Sequence, residues 1–157
     1  MFDLTDEFTF ENFIVGDCNR FAHASAVSVA NNPGSKQRNP LYLWGNSGLG
    51  KTHLMKAIGY SVQQQFDDKT VLYTTCEEFT NAYVACMNNK NFEEFRNKYR
   101  TVDVLLIDDI QFLIGKEGTQ MEFFNTFEAL ISSGKQIVIT SDKAPKNLTE
   151  LYSRLTS

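Results

Sequence analysis

Gly45-Asn46-Ser47-Gly48-Leu49-Gly50-Lys51-Thr52 follows directly on the apolar run Leu41-Tyr42-Leu43-Trp44, and residues 53–65 continue with helical spacing. The octet fits G-x-x-x-x-G-K-[ST] in the context that motif needs, a strand before it and a helix after it. Gly45, Gly48 and Gly50 let the backbone turn its N–H groups inward around a phosphate, where side chains would collide. The helix N-terminus adds the positive end of its dipole. Lys51 supplies a full charge to β- and γ-phosphates, and the Thr52 hydroxyl is suited to ligate Mg²⁺.

A second motif lies downstream. Val104-Leu105-Leu106-Ile107-Asp108-Asp109 is a buried-type strand ending in two carboxylates, a Walker B pattern. Acids at the C-terminal end of a parallel strand sit at the ligand edge of the sheet. Asp108 is the expected Mg²⁺ holder and Asp109 the group that polarises the attacking water. Thr140-Ser141-Asp142 ends another strand at the same edge, where a γ-phosphate sensor is expected; Asp142 is the candidate.

Between these motifs the pattern alternates strand and helix. A helix is expected over residues 17–32, stopped by Pro33-Gly34. Strands are expected over residues 71–74, 102–107 and 136–140. Thr75-x-x-Glu78 is a capping box opening a helix to Met87, interrupted at Asn88-Asn89. Residues 91–100 form a further short helix with Phe92, Phe95 and Tyr99 on one face and a Glu94/Lys98 pair. Thr119-x-x-Glu122 caps a helix whose stripe is Phe123, Phe124, Phe127, Leu130 and Ile131, ended by Gly134. Continuously apolar strands alternating with helices give an α/β fold with a parallel sheet covered on both faces.

The 157 residues, 42% hydrophobic and 22% charged, suit one domain and exclude disorder and fibre. No apolar stretch of membrane-spanning length occurs and residues 1–7 are acidic, so neither a spanning helix nor a signal peptide is encoded, and a cytoplasmic location is expected. Three cysteines without a C-x-x-C pair suggest reduced, core-filling thiols and no zinc site. Taken as a total, the net charge of -4 disfavours nucleic acid as a partner. Residues 1–17 hold five acids and no Lys or Arg, however, leaving the remainder with 15 bases against 14 acids. A basic face is therefore allowed.

The chain resembles the AAA+ nucleotide-binding domain of the DnaA family of bacterial chromosomal replication initiators. The resemblance rests on Phe8-Thr9-Phe10-Glu11-Asn12-Phe13-Ile14-Val15-Gly16, Asn19-Arg20-Phe21-Ala22, Gly48-Leu49-Gly50-Lys51-Thr52-His53-Leu54, Phe95-Arg96-Asn97-Lys98-Tyr99-Arg100, Ile107-Asp108-Asp109-Ile110-Gln111-Phe112 and Glu122-Phe123-Phe124-Asn125-Thr126-Phe127. It implies a P-loop three-layer sandwich with sheet order 5-1-4-3-2, of which residues 1–157 cover four strands. The implied nucleotide contacts are Gly45, Asn46, Ser47, Gly48, Leu49, Gly50, Lys51, Thr52 and His53, with Val15, Gly16 and Asn19 against the adenine. That last segment equally suits a staple and cap for the first helix. The implied cofactors are ATP or ADP with Mg²⁺, and the implied catalytic pair is Lys51 and Asp109.

The same resemblance makes residues 75–100 an initiator-specific insertion lining a channel for single-stranded origin DNA, with Val84, Lys116 and Thr119 facing it. Lys90, Arg96, Lys98 and Arg100 against Glu93 and Glu94 leave residues 90–100 basic by two, which favours phosphate. Other implied partners are further copies in an ATP-dependent filament and a replicative helicase or its loader.

The chain also departs from the family. Gly118 stands where many initiators carry a basic or longer polar side chain. The sequence stops before the trans-acting arginine, the fifth strand, the helical lid and the duplex-binding domain of the family; Arg154 matches the residue preceding that arginine and faces either a neighbour or a surface ion pair. A bare first strand at the sheet edge predicts self-association. Asp109 stands where most AAA+ ATPases place Glu, which with the missing arginine predicts binding with little turnover. Two other classes compete, a helicase loader or initiator-regulating paralogue, and a metabolic P-loop kinase, for which no acceptor site is visible.

Overall fold

Four short strands, apolar along most of their length, are satisfied only in a sheet covered on both sides, and they pair that way in the computed structural model, which describes residues 7–144. β1 (Leu41–Trp44), β2 (Val71–Thr75), β3 (Val104–Asp108) and β4 (Gln136–Ser141) are all parallel, in the order β1-β4-β3-β2. That is the expected order over four strands. Among the described residues β1 is an edge.

Alternation along the strands builds two cores. Val104 and Leu106 of β3, Val138 of β4 and Leu41 and Leu43 of β1 pack beneath α1 (Arg20–Asn31) and α2 (Lys51–Gln65), against Ala26, Val29, Leu54 and Ile58. Leu105, Ile107, Ile137 and Ile139 point the other way, onto α3 (Cys76–Asn89), α4 (Phe92–Arg100) and α5 (Glu117–Ser132). The second core is aromatic: Phe79 meets Tyr99 at 4.9 Å, Phe95 at 5.4 Å and Phe123 at 6.1 Å between ring centroids. These rings anchor the α3–α4 insertion to α5 and the sheet.

Local signals explain the ends of the elements. The Thr75 hydroxyl accepts from the Glu78 N–H at 3.0 Å, the capping bond expected for α3. At the end of α5, Gly134 (φ 74°) donates to Ile131 and Lys135 to Leu130, a Schellman closure. Gly34 (φ 89°) must be glycine because a Cβ there would strike the Gly134 carbonyl oxygen.

Several expectations are corrected. α5 begins at Glu117 rather than behind a Thr119 cap, because the Glu122 carboxylate is taken by Arg100 at 2.7 Å and Thr119 is buried inside the first turns. α3 runs through Asn89 and turns at Lys90 (φ 54°), where the Asn91 N–H bonds back to Cys86. Glu94 pairs with the Asn91 amide rather than with Lys98, whose ammonium lies over the Tyr99 ring. α1 begins at Arg20, and β3 at Val104. Cys76 and Cys86 fill the core, burial pushing the Cys76 thiol up to about 12, but Cys18 is exposed. Among the described residues no helix is long and apolar enough to cross a membrane.

Candidate nucleotide site

Between β1 and α2 the chain makes one short 3₁₀ turn, Ser47–Leu49, bounded by Gly45 (φ 142°) and Gly50 (φ 76°). Both conformations belong to glycine, and each is enforced by packing. A Cβ on Gly45 would overlap Leu49, and one on Gly50 would lie 2.7 Å from the Phe13 ring. At Gly48 a Cβ would meet nothing, so the crest of the loop is open. No side chain caps α2, so its first-turn N–H groups, including those of Lys51, Thr52 and His53, converge on the loop without intrahelical acceptors. The Lys51 ammonium folds back over the loop, donating to the carbonyls of Gly45 and, at 3.0 Å, Asn46.

Two strands and one helix each deliver a hydroxyl to a single carboxylate, that of Asp108 at the end of β3, which is only 3% exposed. Its Oδ2 accepts from the Thr52 hydroxyl at 2.9 Å and from the Tyr73 hydroxyl at 2.7 Å, and its Oδ1 from the Thr140 hydroxyl. The Thr140 oxygen in turn accepts from the Asp109 N–H at 2.8 Å. The register makes this possible. Thr75 lies opposite Asp108, so Tyr73, two residues earlier on β2, shares its face of the sheet. Burial, then the hydrogen bond to Asp108, hold the Tyr73 phenol far above its ordinary value, so it stays a donor.

Asp109 leaves that face by adopting the left-handed region (φ 64°), which Asp tolerates better than most residues. Burial, and then the neighbouring Asp108 charge, raise its carboxyl above the ordinary value, partly offset by Gln111 and Lys51. The Gln111 amide donates to Asp109 at 3.5 Å and accepts from the Asp142 N–H at 3.3 Å, so one side chain spans the second Walker B acid and the backbone of Asp142. Asp142 itself is exposed.

On the N-terminal side, the Asn19 carboxamide closes the turn holding Val15 and Gly16, accepting from the Gly16 N–H at 2.7 Å and donating to the Ile14 carbonyl at 3.2 Å. The Asn19 side chain therefore staples this loop instead of capping α1. The His53 ring is committed to the same N-terminal segment, bonded to the Thr9 carbonyl at 2.7 Å and set edge-on to Phe13 at 5.2 Å. What His53 presents to the loop is its backbone N–H.

The residues assigned to DNA separate. Val84 and Lys116 are exposed, whereas Thr119 is 6% exposed. α3 and the start of α5 adjoin, since a Cβ at Gly118 would sit 3.9 Å from Tyr83. That is ordinary contact, so packing does not demand glycine there. The basic excess of residues 90–100 is smaller than its count, because Arg100 is tied to Glu122. Arg154 lies outside the described residues. Tyr73, Thr140, Gln111 and Phe13 were not singled out from sequence as site residues. A tyrosine and a threonine near the ends of otherwise apolar strands were the available signals for the first two.

The model of the bacterial DnaA ATPase domain matches residues 4–157. The chromosomal replication initiator protein DnaA of Deinococcus radiodurans is 51% identical over 154 residues, 98% of this chain and 33% of that protein. The crystal structure of domain III of the Thermotoga maritima replication initiation protein DnaA superposes with a TM-score of 0.92 at 50% identity, covering 98% of this chain and 65% of that one. A replication initiator DnaA bound to AMPPCP and single-stranded DNA gives a TM-score of 0.91 at 40% identity, over 98% of this chain and 49% of that one. The chain thus spans about a third of the length of the curated relative it matches. With the loop, the paired acids and the sheet order all in place, the chain belongs to the family of bacterial DnaA ATPase domains.

Proposed function

We propose that this chain is the ATP-binding switch domain of a chromosomal replication initiator, one that assembles with further copies on origin DNA, including its single strands, when ATP is bound. The carrying observation is the 2.9 Å bond from Thr52 to Asp108, which joins the Walker A helix to the Walker B strand. A phosphate chain fits the loop because the first-turn amides of α2 and the Lys51 ammonium converge there, and Lys51 can trade two backbone carbonyls for phosphate oxygens. Val15 and Gly16, held by Asn19, offer the flat apolar side to an adenine.

The donor set also suits Mg²⁺, a hard cation that takes one or two protein oxygens and fills its shell with phosphate and water. Thr52 spends its one proton on Asp108, which leaves its oxygen lone pairs for an ion, and Asp108 supplies the carboxylate. When bound, Mg²⁺ would neutralise charge between the β- and γ-phosphates. Asp109 is the candidate to orient and deprotonate a water, Gln111 steadies it, and Asp142 is the candidate sensor. The short Asp109 stem suits slow hydrolysis and a switch between ATP and ADP forms. The initiator solved with AMPPCP and single-stranded DNA supports extending both ligands to this chain, with Val84 and Lys116 as the exposed DNA candidates and Thr119 as a buried one. Arg154 would face a neighbouring copy, and a replicative helicase or its loader is a further partner.

The test is titration with ATP and ADP, Mg²⁺ present, beside Lys51→Ala. Loss of binding in the variant supports the reading, and equal binding overturns it. ATP-dependent retention of a fluorescent single-stranded oligonucleotide, weakened by Lys116→Ala, tests the DNA half.

A further inference from the structure

We propose that Tyr73 is a positioning residue of the nucleotide site, its hydroxyl acting with that of Thr140 to brace Asp108 from both neighbouring strands for the cation; the role rests on the magnesium reading above. Asp108 ends β3, and its flanking strands are β2 and β4. Tyr73 from β2 reaches Oδ2 at 2.7 Å, and Thr140 from β4 reaches Oδ1. Thr52, the third donor, comes from α2 and is itself a candidate ligand. The two strand hydroxyls are the remaining donors, one from each strand beside β3. A carboxylate offers about four acceptor positions, so three donors fix its plane and leave room for the ion's shell.

The ring of Tyr73 is fixed independently of its hydroxyl. It packs in the α1/α2 core, with the Lys56 ammonium 5.1 Å from its centroid. Tyr73→Phe keeps that packing and removes one donor from a carboxylate with almost no access to replacement water.

The experiment measures ATP affinity calorimetrically with Mg²⁺ and with EDTA for the unaltered chain, Tyr73→Phe and Asp108→Asn. In Tyr73→Phe the affinity gained from Mg²⁺ should fall about 10-fold, a typical loss when a metal ligand's partner is removed, with EDTA affinity within about twofold. A full Mg²⁺ gain in Tyr73→Phe alongside its loss in Asp108→Asn overturns the positioning role alone. So does an equal loss with and without Mg²⁺, which is a merely structural effect. A full gain in Asp108→Asn removes the magnesium reading itself. Should Tyr73→Phe not fold, 3-fluorotyrosine at position 73 gives the same decision by ¹⁹F NMR. Its resonance should move when Mg²⁺ is added to the nucleotide-loaded chain, and a stationary resonance overturns the proposal.

Discussion

The two faces of the sheet are both covered by helices, yet they end differently. On the α1/α2 face the aliphatic core gives way at the strand tips to hydroxyls around one carboxylate, Asp108. On the α3/α4/α5 face aromatic packing carries through Phe79, Tyr99 and Phe123 to Ile110 and Leu113, just past β3. Asp108 and Asp109 are adjacent, but the left-handed turn at Asp109 gives them different partners. Among the described residues one carboxylate is satisfied by three donors, whereas the other has a single long bond to Gln111. Full satisfaction holds a ligand in place, and incomplete satisfaction suits a base.

The contrast can be broken most severely on the aromatic side. Phe79→Ala should cost about 4 kcal/mol in urea unfolding, since it opens the junction of α3, α4 and α5. On the other side, Lys51→Ala should leave stability nearly unchanged while costing on the order of 3 kcal/mol in ATP binding by calorimetry. Gly50→Ala should cost about 2 kcal/mol of stability, combining positive φ with the Phe13 contact. Gly48→Ala, at the open crest, should change stability by less than about 0.5 kcal/mol. Thr75→Ala removes one capping bond and should cost about 1 kcal/mol.

A pH-dependent effect sharpens the comparison between the paired acids. The Asp109 carboxyl is raised in the folded chain, so its proton is held more tightly there than in the unfolded chain, whose reference is 3.8. Its contribution to stability is present below 3.8 and is lost as pH rises through the folded value. Asp109→Asn should therefore gain in Tm on the unaltered chain as pH climbs above 3.8. ATP turnover should fall in the same variant, and a variant less stable at neutral pH would count against the assignment.

Most of the architecture was legible because its signals are local. An apolar run before a glycine loop, an apolar run before two acids, and Thr75 before Glu78 each involve residues a few positions apart. The failures have the same origin. Thr119-x-x-Glu122 satisfies the capping pattern, but Arg100, 22 positions away, claims the glutamate. Tyr73 stands 35 positions from Asp108 and Thr140 stands 32, so their roles depend on strand register, which no short pattern encodes. The loop with Thr52 and both Walker acids were readable, while the strand hydroxyls of Tyr73 and Thr140 that hold Asp108 were not.

One consequence of the sheet order concerns the time at which the site can exist. Among the described residues β1 pairs only with β4, and the Gly45 N–H, the first of the glycine loop, is hooked to the Ser141 carbonyl at 3.2 Å. At the opposite end Gln136 and Asn39 latch the same two strands through bonds spanning 98 residues. As the chain leaves the ribosome, the glycine loop emerges before β4, the strand whose Ser141 carbonyl holds its first N–H. Contacts so distant in sequence form late and slowly. A nascent chain should therefore gain the capacity to bind nucleotide in one step, when its last described strand docks.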